Sequence, residues 1–188
     1  MYYTSAYSSP VGRLTLAGDE HSLTGLWIEN QKHFGSTLHG PLIENGDLPV
    51  LKQTKDWLDR YFAGEKPDPA ELFLAPAGSE FRRRVWDLLC EIPYGQVITY
   101  GDIAGRIAHE RHLKTMSGQA VGGAVGHNPI AILIPCHRVI GTNGSLTGYA
   151  GGIPAKLKLL ELEGAAVSGL PGSDKKQLTA RKEKQDDK

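Results

Sequence analysis

The sequence predicts an α+β chain in two units: a small N-terminal α/β unit, made of an antiparallel β-meander and one helix, and a C-terminal unit of short helices ending in a hairpin. Three observations carry this. The first 28 residues hold three short, partly alternating apolar runs separated by turn residues. Residues 49–63 then switch to helical spacing. Residues 79–164 hold several capped, helix-spaced segments around one apolar run and an Asn-Gly turn.

The strands are Tyr2 to Tyr7, Val11 to Ala17 after the Ser-Ser-Pro turn, and Leu23 to Ile28. Pro49 to Ala63 puts Val50, Trp57, Leu58, Tyr61 and Phe62 on one side of a helix, with Pro49 suited to its first turn and Gly64 to its stop. Lys66-Pro67-Asp68-Pro69 and Ala75-Pro76-Ala77-Gly78 break any regular pattern, which sets the unit boundary near residues 75–78 and gives units 1–77 and 78–167. In the second unit, Ser79 caps a helix whose apolar side is Phe81, Val85, Leu88 and Ile92, with Glu80 near its positive end and Pro93 closing it. Gln96 to Thr99 is extended, and Thr99 with Asp102 forms a capping box for a second helix through Ile103, Ile107 and Ala108. A third helix spans about Ser117 to His127, Ile130 to Ile134 is a buried β-type run, Thr142-Asn143-Gly144 signals a hairpin, and Ala155 to Gly164 is a Leu-rich helix. Three short helices followed by a hairpin is the pattern of a winged helix-turn-helix. The charged, apolar-poor stretch 168–188 is expected to be a mobile tail.

Composition bounds the function. The net charge of zero divides into −4 over residues 1–77, +2 over 78–167 and +2 over 168–188, too slight an excess to imply nucleic acid by itself. No apolar stretch approaches the ~20 residues that cross a bilayer, which excludes a membrane role. Cys90 and Cys136 could form only one disulfide and no secretory leader precedes them. An intracellular setting is expected, cytoplasmic in a prokaryote and with nuclear access in a eukaryote.

The third helix is unusual. Met116 to Gly126 contains four glycines, each costing ~1 kcal/mol of helix propensity relative to alanine. Two readings stand open: close helix packing through Gly118, Gly122 and Gly126, or close approach to another surface. A helix nearly bare of side chains suits the minor groove, only ~6 Å wide, which makes Gln119, Ala120, Gly122 and Gly123 candidate DNA contacts.

Cys136 is the candidate nucleophile. A free cysteine with pKa ~8.5 is mostly protonated near neutrality and needs help to attack. Pro135 fixes the backbone before it, His137 offers a base, and Arg138 adds positive charge. A buried cysteine ending an apolar strand is the competing reading, and composition alone favours it. Cys90, on a Leu-rich helix without a neighbouring histidine, is expected in the core.

Pro135-Cys136-His137-Arg138-Val139, with Asn128-Pro129 upstream and Gly148-Tyr149 and Gly151-Gly152 downstream, resembles the methylated-DNA-protein-cysteine methyltransferases, also called O6-alkylguanine-DNA alkyltransferases. The likeness continues through Val85-Trp86, Ile92-Pro93-Tyr94-Gly95, Thr99-Tyr100, Ala120-Val121-Gly122, Leu160 and Glu163-Gly164, and more loosely through Ser9-Pro10-Val11-Gly12 and Tyr61-Phe62-Ala63-Gly64. The resemblance implies direct reversal of DNA damage: an alkylated guanine leaves the duplex and its O6-alkyl group passes irreversibly to Cys136. It implies that His137 takes the proton of Cys136 through a water while Glu163 orients His137, that Tyr100 donates to the guanine, and that Lys156 lies near the exchange. It also implies that Tyr149 and Val139 wall the pocket, that the backbone at Ala150 contacts O6, and that Asn128 braces the cysteine loop.

Each role has a plainer competitor. Glu163 could be an exposed helix-end carboxylate, Tyr100 a core aromatic, and Arg138 the partner of an internal carboxylate instead of a DNA contact. One departure stands out: the family has an arginine in the third helix where this chain has Gln119, which adds no charge to the DNA contact. Competing functions are a non-catalytic sensor of alkylated DNA, whose relatives lack the cysteine, and a cysteine hydrolase, which would turn over. His109 and His112 lack a second ligand cluster, and Gly118 to Gly123 is not a phosphate-binding fingerprint, so neither a metal nor another cofactor is expected. The expected partner is double-stranded DNA carrying alkylated bases, met by a monomer.

Overall fold

The computed structural model describes residues 1–146 and 148–166, so the tail expected from residue 168 lies outside them. Strands β1 (Tyr2–Ser9), β2 (Gly12–Gly18) and β3 (Leu23–Ile28) form the expected antiparallel meander. Gly12, at φ 113°, makes the tight turn that joins the first two. A fourth strand, β4 (Leu42–Glu44), pairs in parallel with β1, giving the order β3-β2-β1-β4. Three exposed residues carry no alternation, so nothing local announces β4. Helix α1 (Pro49–Phe62) lays Val50, Leu51, Trp57, Leu58 and Tyr61 against Leu14 and Leu16 of the sheet, each buried side chain contributing about 1.5–3 kcal/mol.

The free side of β3 decides where the site sits. All six β3 residues are buried, because its outer edge is not left to solvent. Leu26 N–H donates to Pro129 O and Ala131 N–H to Leu26 O, both at 2.8 Å, while Leu23 bonds Phe73 and Ala75 in the same way. The sheet edge thus grips the chain a few residues before Cys136. One hydrophobic core runs from Leu14 and Trp57 through to Val85, Ile103 and Ile134.

The second part holds α2 (Glu80–Cys90), α3 (Tyr100–Glu110), α4 (Gly118–Gly126) and α5 (Ile153–Leu162). The starts of α2 and α3 follow the expected caps, Ser79 accepting from Arg82 N–H and Thr99 with Asp102 closing a capping box, and α4 has a cap as well, Ser117 accepting from Ala120 N–H. Strands β5 (Ile98–Thr99) and β6 (Val139–Ile140) pair in parallel.

Three local expectations need correction. Residues 130–134 form a buried turn, with Ile132 at φ 71°, not a strand. The Asn128 side chain accepts from Ile130 N–H and donates to Ile134 O, so these backbone groups are satisfied without a full ladder. At 142–144 a turn does close, Gly144 N–H bonding Gly141 O, but no hairpin follows among the described residues. Leu146 instead drops into a small second core with Ile140, Leu157 and Leu160. Cys90 is exposed, not core, because Leu89 and Ile92 take the inward positions at the end of α2. Although the residue as a whole is exposed, its thiol is crowded enough that burial, followed by the charge of Asp87, pushes it up to about 11.

Candidate active site

Cys136 opens a single helical turn, Cys136–Arg138, directly after the buried 130–134 loop. Asn128, at the exit of α4, holds that loop from within: Nδ2 donates to Ile134 O at 2.7 Å and to Cys136 Sγ at 3.0 Å. Burial pushes the thiol of Cys136 up, while the Asn128 hydrogen bond and the charge of Lys156 pull it down. The resting group is therefore a protonated thiol. Lys156 is fully buried on α5 with Nζ donating to Val139 O, and burial lowers it to about 8 against the attraction of Cys136. Val139 is buried beside it.

Behind the cysteine, Glu163 caps α5 and is itself buried, which removes the exposed helix-end reading. Its carboxylate accepts five hydrogen bonds, from Tyr61 Oη, His137 Nε2, Arg138 Nε, Arg138 Nη2 and Gly95 N. Burial alone would raise its pKa, yet the bonds from His137 and Arg138 outweigh that and hold it far below the usual carboxylate range. An ionised carboxylate only accepts, so the proton of His137 sits on Nε2, 2.8 Å from Glu163 Oε1. Nδ1 is then a bare acceptor, and no described residue partners it. Burial also holds His137 below the ordinary imidazole range despite Glu163, so the ring is neutral and basic at Nδ1.

Arg138 requires a correction. It does not face a DNA backbone and does not point its charge at the thiol: it is buried, doubly bonded to Glu163 and donating to Ile92 O at 2.6 Å. Its role is to keep Glu163 ionised inside the protein.

Around the mouth, Tyr100 starts α3 and lies against the loop that carries Tyr149. A Cβ at Gly148 would stand 2.8 Å from the Tyr100 hydroxyl, and the φ of 86° there also demands glycine. Burial, then the nearby Cys136, pushes Tyr100 up to about 12, so its hydroxyl stays protonated. Tyr149 is half-buried, with its hydroxyl oxygen buried and unpartnered among the described residues. Ala150 accepts from Lys32 N–H at 3.2 Å.

On α4, packing is carried by Val121, Ala124 and Val125, with Trp86 Nε1 donating to Ala124 O at 2.9 Å. The glycines do little of it. A Cβ at Gly118, Gly123 or Gly126 would meet nothing within 4 Å, and one at Gly122 only the Tyr100 ring at 3.9 Å. Helix packing through Gly118, Gly122 and Gly126 is thereby ruled out, and Gln119, Ala120 and Gly123 lie on an exposed face next to the Tyr100 side of the site.

The sequence reading missed Tyr61 and Gly95 as partners of Glu163. They lie 102 and 68 residues away, so no spacing rule links them to it. Among the described residues no group of three or more His, Cys, Asp and Glu could hold a metal ion, and no helix is long and apolar enough to cross a membrane.

The sequence and fold have clear relatives. Residues 1–76 match the family model of the 6-O-methylguanine DNA methyltransferase ribonuclease-like domain, and residues 80–165 that of its DNA binding domain. The methylated-DNA--protein-cysteine methyltransferase of Haemophilus influenzae is 40% identical over 163 residues, covering 87% of this chain and 86% of the relative. That of Mycobacterium bovis is 44% identical over 163 residues, covering 87% and 93%. The crystal structure of Mycobacterium tuberculosis OGT in complex with DNA superposes with a TM-score of 0.72 at 43% identity, covering 88% of this chain and 96% of that one. Similar in both halves and over nearly the whole length of such relatives, this chain belongs to the 6-O-methylguanine DNA methyltransferase family.

Proposed function

We propose that this protein repairs O6-alkylguanine, chiefly O6-methylguanine, in double-stranded DNA by moving the alkyl group to Cys136 in a single, irreversible turnover. The observation that carries the proposal is the pairing of a buried, protonated Cys136 held by Asn128 with a neutral His137 whose only free nitrogen is Nδ1.

The open face of α4, with Gln119, Ala120, Gly122 and Gly123, meets the minor groove, where the absence of side chains lets the backbone come close. The damaged base leaves the stack, at a cost of a few kcal/mol, and enters between Tyr149 and Val139 with O6 near the backbone of Ala150. The Cys136 proton passes to His137 Nδ1 through a water, and Glu163, held in place and ionised by Arg138, stabilises the resulting imidazolium. Sulfur attacks the alkyl carbon as the carbon–O6 bond breaks, so an S–C bond replaces an O–C bond. Negative charge left on guanine is met by the Tyr100 hydroxyl, which burial keeps protonated, and Lys156 at about 8 can supply a proton at the same place. The thioether has no route back, so one protein repairs one base.

Intact mass spectrometry after incubation with an O6-methylguanine duplex tests this. A gain of ~14 Da, one methylene by formula, on Cys136 and stopping at one equivalent is expected. Binding without an adduct would favour a non-catalytic sensor, and continued turnover a hydrolase.

A further inference from the structure

Residues Gly118–Gly126 of α4 contain no cation, Arg138 is turned inward, and Gln119 is uncharged. Affinity for DNA nevertheless comes largely from cations against phosphate. They must be supplied from outside the helix.

The exposed face of α4 continues past Gly126 onto His127, which caps the helix and lies four and eight residues beyond Gly123 and Gln119, on the same side. Its Nδ1 is 2.7 Å from Gly123 O. Stacked on it is His33, ring centroids 3.8 Å apart and 22° between planes. His33 comes from the N-terminal unit, in the loop after β3, at the left-handed φ of 62° that a non-glycine residue adopts only when its surroundings impose it. They do so here. Gln31 is buried, accepts from Ile28 N–H and reaches Asn128 O, while Lys32 N–H bonds Ala150 O, so the loop is tied to both sides of the site. His33 and Lys32 remain exposed. Burial, then the positive charge of His127, Arg82 and Lys32, holds His33 below the ordinary imidazole range. Among the described residues neither ring nitrogen of His33 has a hydrogen-bond partner.

We propose that Lys32, His33, Arg82 and His127 form a phosphate contact by which the N-terminal unit grips the DNA strand running past the C-terminal end of α4. The contact rests on the reading that the open face of α4 meets the minor groove. An imidazole N–H donates to a phosphate oxygen while neutral, and a phosphate alongside favours the protonated form of His33, offsetting the repulsion from the neighbouring cations. Such contacts fix register on the duplex without reading sequence.

The test is binding of the full-length protein to unmodified duplex from about 50 to 200 mM salt, for the wild type, Lys32→Glu, His33→Glu and Gly123→Leu, with melting temperatures as the check on folding. Lys32→Glu and His33→Glu are each expected to weaken binding about tenfold or more and to reduce the slope of log affinity against log salt by about one, at an unchanged melting temperature. If Gly123→Leu weakens binding while both glutamate variants keep wild-type affinity and slope, the phosphate contact is overturned and the α4 reading stands. If Gly123→Leu also binds as the wild type does, both fall.

Discussion

At the scale of single residues, the site works by holding groups in chosen protonation states. Asn128 is the clearest example of a small side chain with several duties, since it satisfies Ile130 N–H and Ile134 O and donates to Cys136 Sγ. Asn128→Ala leaves the buried Ile130 N–H unpaired and strips one of the two donors from Ile134 O, which keeps Cys136 N–H, so a loss of about 1–3 kcal/mol in denaturant unfolding is expected, together with slower alkyl transfer. His137 is held below the ordinary imidazole pKa near 6.5. The transfer rate should therefore not fall as pH drops from about 8 to 6.5 and should decline only below that; a decline with falling pH centred above about 6.5 would remove His137 as the resting base. Glu163 has the opposite linkage consequence. Its folded pKa lies below the unfolded value near 4.3, so its contribution is complete above that value and is lost as pH falls beneath it. Glu163→Gln should flatten this acid dependence and, by leaving Arg138 buried without a carboxylate, cost about 3–5 kcal/mol at neutral pH. Gln119→Arg should raise both duplex affinity and repair rate, and unchanged values for both would show that residue 119 does not assist flipping.

At the scale of elements, α4 shows a helix whose composition serves its exterior and not its own stability. Val121, Ala124 and Val125 pack it, Ser117 starts it, and the glycines face open space. Gly123→Ala should thus stabilise the fold by up to ~1 kcal/mol in thermal unfolding without tightening DNA binding. A glycine chosen for helix packing would instead make the alanine variant less stable. The caps of α2 and α3 were legible because a cap is a contact between residues three apart. Strand β4 and the 130–134 turn were not: one exists through pairing with β1, the other through Asn128 and the β3 edge. An apolar run of five residues looks the same as a strand or as a buried turn until its hydrogen-bond partners are known.

At the scale of the whole molecule, the N-terminal unit is part of the site's construction. Its β3 edge grips Pro129 and Ala131, and Tyr61 of α1 reaches Glu163 Oε1 at 2.7 Å. Tyr61→Phe keeps the ring packing against Trp57 and Phe62 but removes a hydrogen bond to a buried carboxylate, so about 1–3 kcal/mol of stability and part of the transfer rate should be lost. Full activity in that variant would show that Glu163 is sufficiently fixed by His137, Arg138 and Gly95 alone.

The sequence by itself determined the α+β class, the meander, the capped helices, and the run Pro135-Cys136-His137-Arg138 with its family resemblance, because these rest on periodicity, caps and contiguous motifs. Only the tertiary structure decided that Arg138 faces inward to Glu163, that Tyr61 joins it from 102 residues away, and that the α4 glycines are open and not packed. The physical reason is the same in each case: burial and direction of a side chain depend on what the rest of the chain brings against it, and sequence spacing does not carry that information.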